Sequence, residues 1–258
     1  MWEKQLQRAI EAAKLASKEI INVYKTDFEV EIKEDKSPVT LADIKADKVI
    51  RDFLLPIFSD YSFLSEESND DLERICNDFV WIIDPLDGTK EFINHRDEFT
   101  INIALSYKHE IVVGVVYLPV TGEYYYASKG NGSFYFDGKK VIRIHVNNKT
   151  KNLTFLTSVF HMTEEEQKII NEHKDVIKKV LPVGAAIKPC LIAKGDAEMT
   201  YRLSPNTKEW DIAACEIIIK EAGGFLIEPN GQEIKYNRKD VYNRNGYICV
   251  NKKENIFR

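Results

Sequence analysis

Trp81-Ile82-Ile83 runs directly into Asp84-Pro85-Leu86-Asp87-Gly88-Thr89, and that stretch holds the densest chemistry in the chain. Its two carboxylates are separated by a proline and a leucine, so the chain must turn between them and both can converge on one point. Carboxylates held that close repel unless a cation lies between them. An oxygen-rich, thiol-free donor set favours a hard ion such as Mg²⁺, which keeps several waters and shares phosphate oxygens with a substrate. Gly88 and Thr89 then offer backbone N–H groups at the start of a helix, where an anion is stabilised. A metal beside a phosphate cradle is one reading. The plainer one is a turn, because Asp-Pro and Asp-Gly are ordinary turn dipeptides.

Other acids decide between the two. Glu66 and Glu67 end a short predicted strand, as Asp84 does, and ligands of α/β sheets gather beyond the carboxyl ends of strands. Taken alone, the pair would be a solvated acidic loop. Asp211 follows Trp210 at the head of an apolar helix, where it either caps the helix or completes an oxygen site for two ions. Two metals about 4 Å apart can clamp the attacking water and the leaving oxygen of an in-line phosphoryl displacement. Asp43 sits in the first turn of another predicted helix, a position the helix dipole favours for any acid. The five histidines lie in polar or surface contexts with no pair at metal-ligand spacing, which argues against histidine-based phosphoryl chemistry. No Gly-rich phosphate loop of the kinase type is present.

These residues need elements to carry them. Apolar positions at helical spacing predict a helix over 2–24 and a second after Thr40, ending before Pro56. Short strands are predicted at 28–32 and 61–64. An antiparallel meander follows over 99–105, 111–118, 124–127 and 133–136, with glycine turns between its strands. The second half alternates: strands at 154–159, 197–201, 225–227 and 247–250, and helices at 163–174, 183–194 and 207–222. This order predicts a layered α+β protein with two subdomains, 1–144 carrying most of the acids and 145–258 contributing Asp211. The polar stretch 69–77 is the expected mobile segment near the acids.

Length and composition set the frame. At 258 residues the chain can bury a substantial core, and 44% hydrophobic with 30% charged residues is ordinary for a globular protein. A net charge of −5 argues against coating nucleic acid, while a small phosphorylated substrate stays compatible. Cys76, Cys190, Cys215 and Cys249 are widely spread, so no disulfide framework is expected and the cytoplasm is the expected compartment. No signal-peptide pattern and no membrane-length apolar run is found, although peripheral membrane association stays open.

The ordered set Pro38-Val39-Thr40…Asp43, Glu66-Glu67-Ser68, Asp84-Pro85-Leu86-Asp87-Gly88-Thr89 and Trp210-Asp211…Glu221-Ala222-Gly223-Gly224 resembles the lithium-sensitive, Mg²⁺-dependent inositol monophosphatase superfamily. The resemblance spans essentially the whole chain. It implies the α-β-α-β-α sandwich of the inositol monophosphatase and fructose-1,6-bisphosphatase type. It also implies two or three Mg²⁺ ions, Glu66, Asp84 and the Leu86 carbonyl holding the first and Asp84, Asp87 and Asp211 the second. Gly88 and Thr89 N–H groups would hold the phosphate, and Asp43 with the Thr89 hydroxyl would orient and deprotonate the nucleophilic water. Either a monomer or a homodimer is expected.

The continuation Lys90-Glu91-Phe92 resembles bacterial 3′(2′),5′-bisphosphate nucleotidases, and Lys188 and Arg202 fall where those enzymes contact phosphate and nucleotide. The competing reading of each is an exposed surface cation. A basic residue facing an acidic site makes sense if the substrate carries a second phosphate. The resemblance therefore implies hydrolysis of adenosine 3′,5′-bisphosphate to AMP and phosphate, with 3′-phosphoadenylyl sulfate as a further substrate. One departure stands out: nucleotidases carry a serine three residues before the lysine, and this chain has Ala185. That keeps an inositol monophosphatase or sugar bisphosphatase in view. A non-catalytic relative that retains only the fold is disfavoured, since the acids and Thr89 are all present.

Overall fold

The computed structural model describes residues 1–32, 38–70 and 72–257. Its centre is a run of apolar strand. β4 (Phe79–Asp87) lies in a seven-stranded sheet of order β3-β4-β5-β6-β7-β8-β9, with β3 at Ser62–Ser65, β5 at Thr100–Tyr107, β6 at Glu110–Tyr117, β7 at Tyr124–Ser128, β8 at Gly132–Phe136 and β9 at Val141–Ile144. Alternate residues of these strands face opposite ways, and both ways are covered. Trp81, Ile83, Ile103 and Leu105 pack on α1 (Glu3–Tyr24) and α2 (Leu41–Leu54). Val80, Ile82 and Ala104 pack instead on α6 (Glu209–Glu221). A strand buried on both faces reads as a continuous apolar run, which is why Val80–Ile83 shows no polar alternation.

A second sheet completes the stack. β10 (Leu153–Thr157), β11 (Ile177–Pro182), β12 (Met199–Arg202), β13 (Phe225–Ile227) and β14 (Tyr247–Val250) form a five-stranded sheet of order β11-β10-β12-β14-β13. One side of it shares a core with α6 and with α5 (Ile187–Lys194). The other packs Phe155, Met199 and Tyr201 on Ile169 and Ile170 of α4 (Glu164–Glu172). The layers are therefore α-β-α-β-α, as the resemblance implied.

Several boundaries differ from the sequence reading. β11 was not expected, because Ile177-Lys-Lys-Val-Leu-Pro182 is an edge strand whose lysines face water and hide the period. The helix expected over 183–194 starts only at Ile187, since Ala185 takes a left-handed backbone with φ 48°. β1 (Val30–Ile32) pairs with β2 (Pro38–Thr40) as a small separate ribbon, and α3 (Thr89–Ile93) is a single turn and a half.

Two details explain motif residues that carry no chemistry. The Glu221 carboxylate accepts hydrogen bonds from the Gly130 and Gly132 N–H groups, both at 2.8 Å, and so clasps the β7–β8 turn to the end of α6. Gly114 on β6 lets α6 approach: a Cβ there would lie 2.5 Å from the Ala214 carbonyl oxygen and 2.5 Å from Ile217 Cγ2. We expect Gly114→Ala to destabilise the protein by about 1–3 kcal/mol in denaturant unfolding, because α6 must shift or strain to admit it. An unchanged unfolding midpoint would show that the layer spacing is not set here.

Candidate active site

Parallel pairing of β3 with β4 sets Ser65 opposite Ile83, so the next residues, Glu66 and Asp84, leave the sheet side by side. The Glu66 N–H donates to the Ile83 carbonyl at 3.3 Å. β4 continues past Asp84 to Asp87 with a register shift against β5 between the two, and that irregularity turns both carboxylates to one side. α6 then delivers Asp211 from its first turn. Carboxylate oxygens of Asp84, Asp87 and Asp211 lie within 4.8 Å of one another. Glu66 stands outside that tight group, in the same cavity, with its Oε1 4.0 Å from Lys208 Nζ.

Hydrogen bonds also hold each acid, two from the backbone and one from a side chain. Asp84 Oδ1 accepts from the Leu86 N–H at 3.2 Å, Asp211 Oδ2 from the Lys208 N–H at 2.5 Å, and Asp87 Oδ2 from Asn102 Nδ2 at 3.2 Å. The capping and chemical readings of the helix acids turn out to be compatible. Asp43 Oδ2 accepts from the Thr40 N–H at 2.8 Å and the Thr40 hydroxyl at 2.7 Å, closing a capping box. Its other oxygen, Oδ1, faces Thr89 Oγ1 at 3.4 Å, and Thr89 Oγ1 also lies 3.4 Å from the Leu86 carbonyl. Gly88, with φ 92°, precedes Thr89 and starts α3. A side chain at Gly88 would crowd Ala185 Cβ and the Glu98 carbonyl, each 3.2 Å from the added Cβ.

Removal from water and mutual repulsion shape the electrostatics. Burial is the largest cause in each case. It lifts Asp84 well above the usual carboxylate range, reinforced by Glu66, Asp87 and Asp211. It lifts Asp211 to about 8, with Asp87 and Glu66 adding. Asp87 rises as well, against the pull of Lys188 and the Asn102 hydrogen bond. Asp43 rises to about 6, burial outweighing its two bonds from Thr40. Three repelling carboxylates beside a backbone carbonyl are a hard, all-oxygen donor set, which suits divalent cations of the Mg²⁺ class.

Opposite chemistry lines the rest of the same cavity, whose volume is about 500 Å³. Lys90, Lys188 and Arg202 surround His161 electrostatically; desolvation first, then these cations, press its pKa down to about 4. Arg202 Nη1 donates to the His161 carbonyl. Lys188 is buried and donates to the carbonyls of Val183 at 3.2 Å and Ala185 at 2.8 Å; burial lowers its pKa while Asp87 and Glu91 raise it. Neither cation is the exposed surface charge of the competing reading. His161, set aside in the sequence reading as a surface residue, lines the cavity. The strand-end rule that marks Asp84 and Glu66 applies equally to the segment after β10, whose Ser158 and His161 line the cavity.

The stretch 69–77 holds a 3-10 turn, Glu73–Cys76, with Asp71 outside the described residues. Arg74 is 1% exposed: it pairs with Asp70 through two bonds of 3.0 and 2.6 Å and donates to Asn237 Oδ1 at 2.7 Å. The Asn237 N–H in turn donates to Glu209 Oε2 at 2.6 Å, and Arg238 Nε to Glu209 Oε1 at 3.1 Å. Glu209 is therefore a buried anchor for the start of α6, two residues before Asp211.

Comparison with known proteins identifies the family. The inositol monophosphatase family model matches residues 1–257, and the chain belongs to that family. It is 34% identical to the 3′(2′),5′-bisphosphate nucleotidase CysQ of Salmonella typhimurium, over 94% of this chain and 98% of that protein. The crystal structure of CysQ from Bacteroides thetaiotaomicron superposes with a TM-score of 0.86 at 32% identity, covering 98% of this chain and 99% of that one. The fructose-1,6-bisphosphatase/inositol-1-monophosphatase of Aquifex aeolicus is 32% identical over 86% of each chain. Among the described residues, no helix is long and apolar enough to cross a membrane.

The raised carboxyl pKa values carry a linked stability effect. Asp211 binds its proton up to about pH 8 in the folded protein but only to about 3.8 in the unfolded chain, so its contribution is full below pH 4 and is lost as pH rises toward 8. We expect chelator-treated protein to melt at falling temperature between pH 5 and about 8, and millimolar Mg²⁺ to restore most of the loss at pH 8. A melting temperature flat with pH, with and without Mg²⁺, would contradict the cluster's electrostatics.

Proposed function

We propose that this chain is a Mg²⁺-dependent phosphomonoesterase that removes the 3′-phosphate of adenosine 3′,5′-bisphosphate, giving AMP and phosphate. The observation that carries the reading is the pairing, in one cavity, of an acidic triad with the cations Lys90, Lys188 and Arg202, beside a neutral His161. The first suits a phosphate undergoing cleavage; the second suits a phosphate that stays. The nucleotidase relatives named above support it.

Asp84, Asp87 and Asp211, with Glu66 and the Leu86 carbonyl, would hold two or three Mg²⁺ ions. Bound there, the ions supply neutralising charge to the phosphoryl oxygens and make a water easier to deprotonate. The Gly88 and Thr89 N–H groups hold the phosphoryl oxygens at the start of α3. Thr89 Oγ1 and Asp43 Oδ1 orient the attacking water, and Asp43, ionised above about pH 6, takes its proton. The water oxygen bonds to phosphorus and the bond from phosphorus to the ribose 3′ oxygen breaks; that oxygen takes a proton from solvent water, and Asp43 returns its proton to solvent. Arg202 and Lys188 bind the remaining phosphate. We take 1–144 and 145–258 as the subdomains that meet at this cavity.

A second reading, inositol monophosphatase or sugar bisphosphatase, draws on Ala185 and on the Aquifex relative. Comparing kcat/KM for adenosine 3′,5′-bisphosphate, inositol 1-phosphate and fructose 1,6-bisphosphate with Mg²⁺ separates the two. We expect the nucleotide to be preferred. We also expect Arg202→Ala to raise KM for the bisphosphate about tenfold or more, and for a 3′-monophosphate much less. Preference for inositol phosphate would overturn the nucleotidase reading. Equal effects of Arg202→Ala on both nucleotides would remove its role in binding the second phosphate.

A further inference from the structure

α2 carries a second buried acid one turn beyond Asp43. Asp47 is 8% exposed, and the function derived so far does not use it. Its two oxygens each take a separate hydroxyl: Ser65 Oγ donates to Oδ1 at 2.5 Å and Ser68 Oγ to Oδ2 at 3.1 Å. Those serines bracket Glu66 and Glu67. The Ser68 N–H lies 3.4 Å from the Ser65 carbonyl, so the four residues form one tight turn with both glutamates at its crest. Arg51, one further turn along α2, donates to the Ser68 hydroxyl, which leaves that hydroxyl's proton for Asp47.

We infer that Asp47 is a positioning residue that fixes the Glu66 turn to α2 and thereby presets the Glu66 carboxylate for a divalent cation. With only its two long backbone bonds, Glu66 N–H to Ile83 and Ser68 N–H to Ser65, the turn could shift and carry the Glu66 side chain with it. Tying both flanking side chains to one carboxylate fixes the backbone from which the Glu66 side chain projects before any ion arrives. The same helix holds Asp43 against Thr89, so one rigid element references both the group that accepts the proton and the turn that supplies Glu66. The inference deepens the proposed function and rests on Glu66 being a cation ligand.

The test is calorimetric titration of MgCl₂ into the purified chain and its variants. We expect Asp47→Ala to raise the Mg²⁺ Kd about tenfold, in line with the loss of a group that orients a ligand. Asp47→Asn, which keeps an acceptor for Ser65 and a polar partner for Ser68, should stay close to the parent. A Ser65→Ala, Ser68→Ala double variant should reproduce Asp47→Ala, and it serves if Asp47→Ala fails to fold. Folded Asp47→Ala or double-serine protein with unchanged Kd overturns the inference and leaves Asp47 with packing alone. Asn as damaging as Ala also overturns it, because charge and not position would then matter. Glu66→Gln separates the two levels. Weakened Mg²⁺ binding supports the ligand reading. Unchanged binding defeats that reading, and the inference falls with it.

Discussion

Asp84, Asp87 and Asp211 are pressed together with most of their water removed, and they repel. Nothing in such an arrangement favours folding by itself: each ionised carboxylate raises the cost of ionising the next, and burial adds to it. The rest of the molecule is organised around bearing that cost. β4 is buried on both faces, so its exit is fixed. α6 is anchored by the fully buried Glu209 and by close packing over Gly114. Backbone N–H groups at Leu86 and Lys208 give the acids partial compensation.

That support explains why helix ends meet at the cavity. α2, α3 and α6 all begin there, so the positive ends of their dipoles face the acids and any bound anion. Asp43 and Asp211 share the same economy of use. For Asp43 the split is explicit: Oδ2 caps α2 and Oδ1 faces Thr89. One residue thus shapes the element that positions it. Basic groups line the same cavity: Lys188 pulls on Asp87 and Lys208 on Asp211, while Lys90, Lys188 and Arg202 together act on His161, so the cavity carries both charge types.

Much of this was legible in the sequence because its causes are local. The apolar run into Asp84, the Thr40 cap and the strand end at Glu66 follow from periodicity and turn chemistry, and the layered fold followed once the motifs were read together. What stayed hidden depends on distant partners. Arg74 looks like loop punctuation until Asn237, 163 positions away, is beside it. β11 is masked by lysines on a sheet edge, and the late start of α5 comes from a left-handed residue, Ala185, that no helical propensity marks against. His161 was missed for a different reason: its polar neighbours suggested surface, whereas its surroundings are set by Lys90, Lys188 and Arg202 from other elements.

The central claim is that the acidic triad is held against its own repulsion in order to take cations. Asp84→Asn tests it most directly, with melting temperature measured in chelator at pH 8 and phosphate release measured with Mg²⁺. The account predicts a variant that melts higher than the parent in chelator, because one buried charge is gone, and that releases almost no phosphate from adenosine 3′,5′-bisphosphate. A variant that melts lower in chelator and turns over at the parent's rate would contradict it.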